Sequence, residues 1–248
     1  MEKRRIHLLD ELRGFAVVCM VLHHSLLSIA DIFRSQFFMD AFNFLCYFQP
    51  IIWLVFFGVS GISSSISENN LKRGGKLFGI ALVITAVTFG YFNGKMTIVF
   101  GALHFLAVSM MIYHFIKPLI RKINPLAGIV VCFLLFAFTY EIYRGYVGVF
   151  DFVQINLPRA LYRTDFLFWL GFPSAGFMSA DYFPLLPYIF LFLIGTFVGT
   201  YVERGRIPAF AYKKRSSFLR FMGKNALIVY IAHQPIIYAI CYVVKWLV

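Results

Sequence analysis

The sequence predicts an all-α, polytopic membrane protein of about seven transmembrane helices, organised as a single domain over residues 1–248. Hydrophobic residues make up 60% of the chain and charged residues 14%, against about 45–50% and about 25% in soluble domains. A soluble globule with so few charges could not cover its surface with polar groups. The second observation is a series of apolar runs of about 20 residues, the length that crosses a bilayer. We find no linker, low-complexity tract or clear internal repeat, which favours one domain.

Seven apolar runs have the length of a transmembrane helix. They are residues 12–30, 41–66, 75–92, 97–116, 126–143, 183–202 and 223–247. An eighth run, residues 166–178, is too short to span and contains Pro173 and two glycines. We predict a re-entrant or interfacial segment there, because irregular backbone at membrane depth must be buried in protein or line a cavity.

The basic residues predict the orientation. The net charge is +12, and cytoplasmic loops of membrane proteins carry the excess of Lys and Arg. If the N-terminus is cytoplasmic, most of the 23 basic residues fall in inner segments, at 3–5, 72–76, 117–122 and 204–220. We therefore predict a cytoplasmic N-terminus, and we expect the charge to reflect membrane topology, with no nucleic acid as a partner.

Metal binding is not expected. The four cysteines, Cys19, Cys46, Cys132 and Cys241, lie in apolar stretches, and their spacing matches neither a metal motif nor a disulfide framework. The histidines lack the short spacings that place two ligands on one helix face. Packing in the core is the expected role of the cysteines.

Three histidines are predicted at depth in the membrane, where ionisable groups are costly and therefore functional candidates. His24 lies 11 residues beyond Arg13, about 16 Å along a helix. His104 lies about 10 Å inside the fourth span, and His233 about 15 Å inside the seventh. For each one alone, a hydrogen-bonded packing role is an equally good interpretation.

Helix phase places Arg13 and His24 on one face, since 11 residues leave a rotation of only about 20°. Asp10 lies about 60° from Arg13, near the same face, and Ser28 continues it. This suggests an Asp–Arg pair at the cytoplasmic mouth below a histidine that acts as a general base. The alternative is an interfacial arginine that merely pairs with the aspartate.

Several local patterns resemble one family. They are Leu9-Asp10-x-x-Arg13-Gly14 with His24, Phe57-x-x-Ser60-Gly61, Gly101-x-Leu103-His104, Phe168–Phe172, Asp181–Tyr188, and Gly223 to Tyr230-x-x-His233-Gln234-Pro235. In this order they resemble the catalytic domain of the heparan-α-glucosaminide N-acetyltransferase family, within the transmembrane acyltransferase superfamily. The likeness runs from residue 5 to residue 237 and is to a short, bacterial-type member. Tyr188 stands where the family usually has tryptophan, and Ala226 where serine is frequent.

The resemblance implies an acyltransferase of the bacterial inner membrane. Such an enzyme moves an acyl group, usually acetyl, from cytoplasmic acetyl-CoA to a sugar, glycan or lipid-linked acceptor at the far side. His24 would be base or nucleophile, with Asp10 and Arg13 as further catalytic residues. Acceptor-side or oxyanion candidates are His104, His233, Gln234, Asn225 and Asp181. Candidates for the phosphates of coenzyme A are Arg4, Arg5, Lys72, Arg73 and Lys76.

Two other functions remain open at this point. Polar groups at the midplane also suit a histidine-lined transporter or flippase, and a non-catalytic scaffold would need neither donor nor acceptor. Gly195 and Gly199 form a small-residue face on the sixth predicted helix, which would permit a helix–helix contact and so a homodimer.

Overall fold

The computed structural model describes residues 5–92, 97–149 and 152–247. Its contacts group into two compact units. The first holds the residues up to Val59 and those from Ile207 onward, and the second holds Ser60–Arg206. The single domain predicted over 1–248 stays a prediction.

The described residues form nine α-helices and one two-stranded hairpin. The helices are α1 His7–Phe33, α2 Gln36–Cys46, α3 Gln49–Ile66, α4 Asn70–Phe92, α5 Ala102–Ile120, α6 Pro125–Thr139, α7 Leu185–Glu203, α8 Ser217–Lys224 and α9 Ala226–Leu247. The antiparallel strands are β1 Tyr146–Val149 and β2 Val153–Asn156.

The all-α, seven-span prediction is confirmed. Seven helices in the described part of the chain are long and apolar enough to cross a membrane. The second predicted span differs in detail, because residues 41–66 are divided between α2 and α3. Pro50 explains the break: it has no N–H with which to continue the hydrogen-bond ladder of α2, and it fits the first turn of α3. Tyr47 and Phe48 close α2 with bonds to the carbonyls of Phe44 and Leu45.

The fourth span begins later than predicted. Residues 97–101 are not helical, and Phe100 instead pairs with Tyr182 in an isolated bridge. His104 therefore lies in the first turn of α5 and not deep within a helix that starts at Thr97. Segment 166–178 is irregular apart from the short 3-10 turn Phe168–Leu170, in agreement with the predicted non-spanning segment.

Two glycines allow α1 and α8 to cross at backbone contact in the first unit. A Cβ added to Gly14 would come 1.9 Å from the carbonyl oxygen of Leu219, and one added to Gly223 would come 1.8 Å from that of Asp10. Helix α1 also packs against α2 and α9. The crossing at Gly14 and Gly223 thus fixes the end of α1 that carries Asp10 and Arg13.

Alanine at Gly14 is expected to destabilise the protein by about 1–3 kcal/mol, because its Cβ meets backbone that cannot move aside. The measurement is thermal unfolding in detergent. Gly58→Ala is the matched control, since nothing lies within 4 Å of a Cβ added there. Equal melting temperatures for the two variants would contradict the close crossing.

In the second unit, α4 packs against α5 and α6 against α7. The small-residue face of α7 is used inside the chain: a Cβ at Gly199 would come 1.8 Å from Ser65 Oγ. A Cβ at Gly61 would similarly meet the Phe192 carbonyl oxygen at 2.0 Å. Close helix packing is therefore one role of these glycines, and the homodimer stays a prediction.

Candidate active site

Helices α1 and α9 bring His24, His233 and Gln234 together in the first unit. His24 Nδ1 lies 3.1 Å from His233 Nε2 and 2.8 Å from Gln234 Nε2. The two imidazole ring centroids are 5.0 Å apart. His233 is buried, whereas His24 is only half-buried. Of the three histidines predicted at depth, these two form one cluster.

The backbone of α9 decides which nitrogen of His233 carries a proton. Nδ1 of His233 lies 2.6 Å from the carbonyl oxygen of Tyr230. A carbonyl only accepts, so Nδ1 must donate. In a neutral imidazole the other nitrogen, Nε2, is then an acceptor. The atom facing it, Nδ1 of His24, must accordingly be the donor of the 3.1 Å bond.

This arrangement leaves the lone pair of His24 on Nε2. Among the described residues, no hydrogen-bond partner lies at that nitrogen. An unprotonated imidazole nitrogen that no side chain occupies can accept a proton or attack a carbonyl carbon. The cluster thus presents one free basic atom, and His233 holds the ring that carries it.

Gln234 and Ser28 complete the cluster. Ser28 Oγ lies 3.4 Å from Gln234 Oε1, and Ser28 is buried. A half-turn of the amide exchanges its oxygen and nitrogen without moving the side chain. Since His24 Nδ1 carries a proton in the neutral pair, the amide oxygen is the end that complements it, and the amide nitrogen then donates to Ser28 Oγ.

His23, next to His24 in sequence, belongs to a different set of contacts. Its Nε2 lies 2.5 Å from Gln49 Nε2 and 3.5 Å from Cys46 Sγ. Either end of the Gln49 amide can face this nitrogen, so Gln49 engages Nε2 of His23 in either tautomer. The hydrogen bonds of His23 thus run to Gln49 and Cys46 and not to the His24–His233 pair.

Asp10 lies at the start of α1 with two arginines. Arg5 Nε donates to Asp10 Oδ2 at 2.8 Å, and Arg13 Nη1 lies 3.7 Å from Asp10 Oδ1. The bond to Asp10 raises the pKa of Arg5. Arg13 lies about 16 Å along α1 from His24 and Asp10 about 21 Å, while Arg5 precedes the helix. Neither arginine can therefore reach an atom that His24 touches.

His104 makes its contacts inside the second unit, and both of its nitrogens are engaged. The Gly101 N–H donates to Nδ1 at 3.3 Å. Nε2 lies 3.2 Å from Thr85 Oγ1, which itself donates to the Ile98 carbonyl at 2.6 Å. Neutral His104 thus donates through Nε2 and closes the first turn of α5, as a glutamine does in a capping box. This geometry favours a structural role.

Glutamine at position 104 is therefore expected to be tolerated, because its amide can serve the same turn. Alanine is expected to cost about 0.5–2 kcal/mol, the usual loss for a removed N-terminal cap. The two variants are compared by thermal unfolding and by turnover in the same preparation. A stable His104→Gln protein without activity would contradict the structural role and return His104 to the reaction.

Two further predicted site residues hold helix ends. Asp181 caps α5, since the Ala102 N–H donates to its Oδ2 at 2.9 Å, and it lies in the second unit. Asn225 joins α8 to α9 and donates to the Phe221 carbonyl at 2.9 Å. It precedes His233 by eight residues, or about 12 Å of helix.

The candidates for binding the phosphates of coenzyme A divide between the two units. Arg5 pairs with Asp10 in the first. Lys72, Arg73 and Lys76 are exposed at the start of α4 in the second. Arg4 lies outside the described residues. The described part of the chain contains no group of three or more His, Cys, Asp or Glu side chains placed to hold a metal ion.

The sequence did not predict the hydrogen-bonding roles of Glu11, Thr85 and the carbonyl of Tyr230. Glu11 is buried and accepts from the N–H groups of Arg215 and Ser216, at 2.8 and 3.0 Å, at the start of α8. An acidic residue in an apolar run is the signal that could have indicated its burial. Thr85 and the Tyr230 carbonyl carry no comparable signal, because their roles depend on tertiary contacts.

Seven apolar helices and a histidine pair with a free imidazole nitrogen define an integral membrane protein with a candidate catalytic site. The chain matches the family model described as heparan-alpha-glucosaminide N-acetyltransferase, catalytic, over residues 5–235. It therefore belongs to this family of membrane acetyltransferases, and its membership implies transferase activity. No curated protein and no solved structure gave a match to the chain.

Proposed function

We propose that the protein transfers an acetyl group from acetyl-CoA to a sugar or glycan acceptor, free or lipid-linked, on the opposite side of the bacterial inner membrane. His24 acts in this reaction as base or nucleophile. The observation that carries the proposal is the free Nε2 of His24, whose tautomer follows from the 3.1 Å and 2.6 Å contacts of His233.

Used as a base, His24 Nε2 takes the proton of an acceptor hydroxyl or amine. The acceptor atom then attacks the thioester carbon, the C–S bond breaks, and the His24 imidazolium returns the proton to the departing thiolate. An imidazole near neutral pH can both take and give this proton. His24 Nδ1–H stays bonded to His233 throughout, so the ring keeps its orientation.

Used as a nucleophile, Nε2 attacks the thioester carbon and the thiolate of coenzyme A leaves with a proton from solvent. The resulting acetyl-imidazolium is then attacked by the acceptor, which loses its proton to solvent as the C–N bond breaks and His24 returns to the neutral imidazole. Splitting the transfer into two steps would let donor and acceptor use the site one after the other.

The position of the Asp10 cluster supports a donor that is long and anionic. Arg13 lies about 16 Å along α1 from His24, and Arg5 lies further away, just before α1 begins, beside the N-terminus that we propose to be cytoplasmic. Coenzyme A carries its phosphates at one end and its thioester at the other, joined by an extended pantetheine arm. Arginines pair strongly with phosphate oxygens, so they suit the phosphate end while the thioester extends toward His24.

The test uses the full chain in proteoliposomes with acetyl-CoA labelled in the acetyl group. We expect label on an extracted glycan or lipid, with His24→Ala protein as the matched blank. Label that stays on the protein before acceptor is added indicates the nucleophilic route. Absence of transfer to any acceptor, together with solute movement that needs no acetyl-CoA, would contradict the proposal and favour a transporter.

A further inference from the structure

The hairpin of β1 and β2 has one wholly apolar face. Val147 pairs with Ile155 and Val149 with Val153, while Tyr146 pairs with Asn156 and Gly148 with Gln154. Successive pairs point to opposite faces of a sheet. Four β-branched apolar side chains therefore share one face, and the other carries Tyr146, Gly148, Gln154 and Asn156.

Much of the apolar face is uncovered by the protein. Val149 is 41% exposed, Val153 51% and Ile155 52%, and the neighbouring Phe152 is 90% exposed. A two-stranded hairpin is marginal in water without a further layer on its apolar side. The hairpin thus needs a covering that the described residues of its own unit do not supply.

The hairpin begins where the fifth membrane span ends. That span comprises Pro125–Arg144, and β1 starts two residues later and packs against α6. Tyr140, Tyr143 and Tyr146 cluster at this end, beside Arg144, whose guanidinium lies 5.4 Å from the Tyr143 ring centre. Tyrosine and arginine are typical of the level where hydrocarbon meets headgroups.

Further bonds hold the segment at that level. The Leu157 N–H donates to the Gly145 carbonyl at 2.8 Å and closes the base of the hairpin. The Tyr162 hydroxyl donates to the Ile142 carbonyl. The chain after the hairpin is therefore fixed to the end of the span, and the exposed Arg159 and Arg163 lie in this same connection.

We propose that the apolar face of this hairpin lies in the bilayer interface, in the leaflet that the end of α6 reaches. Val149, Phe152, Val153 and Ile155 enter the boundary between headgroups and acyl chains, to a depth of about 5–10 Å as for interfacial amphipathic segments. Helix α6, against which β1 packs, also exposes apolar side chains at Val130, Phe133 and Leu134. Arg144, Arg159 and Arg163 complement lipid phosphates.

The test compares spin labels at neighbouring positions on opposite faces. Val153→Cys and Gln154→Cys are labelled in a variant whose native cysteines are replaced and which melts like the wild type, in lipid vesicles. Oxygen concentrates in the bilayer and a water-soluble nickel chelate in solvent. We expect the ratio of oxygen to nickel collisions to be several-fold higher at 153 than at 154, and Ile155→Cys and Asn156→Cys to repeat this contrast.

Two results would overturn the proposal. Equal access of nickel at 153 and 154 would place the hairpin in water. Low access of both reagents at 153 would mean that protein, such as a second copy of the chain, covers this face. A second test keeps the native cysteines: Val153→Asp should speed cleavage of the hairpin by an added non-specific protease in vesicles, and Gln154→Asp should not. Equal rates would also count against membrane docking.

Discussion

Replacing His24 with alanine is expected to abolish acetyl transfer while the protein stays folded. The reason is that Nε2 of His24 is the nitrogen in the cluster that keeps a lone pair without a hydrogen-bond partner among the described residues. A positioned base contributes about 10²–10⁴ to a rate, and loss of a covalent nucleophile is at least as severe. The measurement is turnover of acetyl-CoA by purified protein in lipid, alongside its melting temperature.

His23→Ala is the matched control for this variant. His23 adjoins His24 in sequence, but its contacts are with Gln49 and Cys46. We expect this variant to retain most of the transfer activity. Full activity of His24→Ala, or equal loss in the two variants with both still folded, would contradict the role of His24.

Composition and apolar run length predicted the fold well, because crossing a bilayer imposes a length and a polarity that the sequence displays directly. The break between α2 and α3 was missed, although Pro50 is visible. The residues that form the turn, Tyr47 and Phe48, are themselves apolar, so the hydrophobic run continues through it without a polar interruption. The hairpin was missed for another reason: its strands have four residues each, too few for an alternating pattern to stand out.

The sequence predicted how deep each candidate site residue lies along its helix, but not which residues of different helices lie side by side. Phase and depth placed Ser28 on the face of His24, and depth selected His24, His104 and His233. Depth does not determine lateral position, so the sequence could not separate the histidine that pairs with His24 from the one that closes a helix turn beside Thr85. That distinction depends on hydrogen bonds between segments distant in sequence.

The shared motifs also acquire separate physical roles. Gly14 and Gly223 permit the crossing of α1 and α8, and Asp181 caps the helix that carries His104. Such residues resemble catalytic ones in a motif, because both kinds are hard to replace. Their contacts in the structure show which motif residues position helices and which could touch the reacting atoms.

His233 is expected to act by setting the tautomer of His24, so its variants should divide according to hydrogen-bond chemistry. His233→Gln places an amide oxygen where Nε2 now accepts from His24. His233→Asn keeps a donor for the Tyr230 carbonyl and removes that acceptor. We expect glutamine to retain much of the activity and asparagine to lose about 10²–10⁴ in kcat, since a catalytic histidine left in the wrong tautomer loses up to about 10⁴.

The readout must separate this role from mere packing. The KM for acetyl-CoA should change little in both variants, because the donor's phosphates are proposed to bind at the far end of α1. In histidine-labelled wild-type protein, the nitrogen NMR signal of His24 Nε2 should be that of an unprotonated imidazole nitrogen, and it should disappear in His24→Ala. Equal activity of the glutamine and asparagine variants, or a proton found on His24 Nε2 in the neutral wild-type protein, would refute the tautomer assignment.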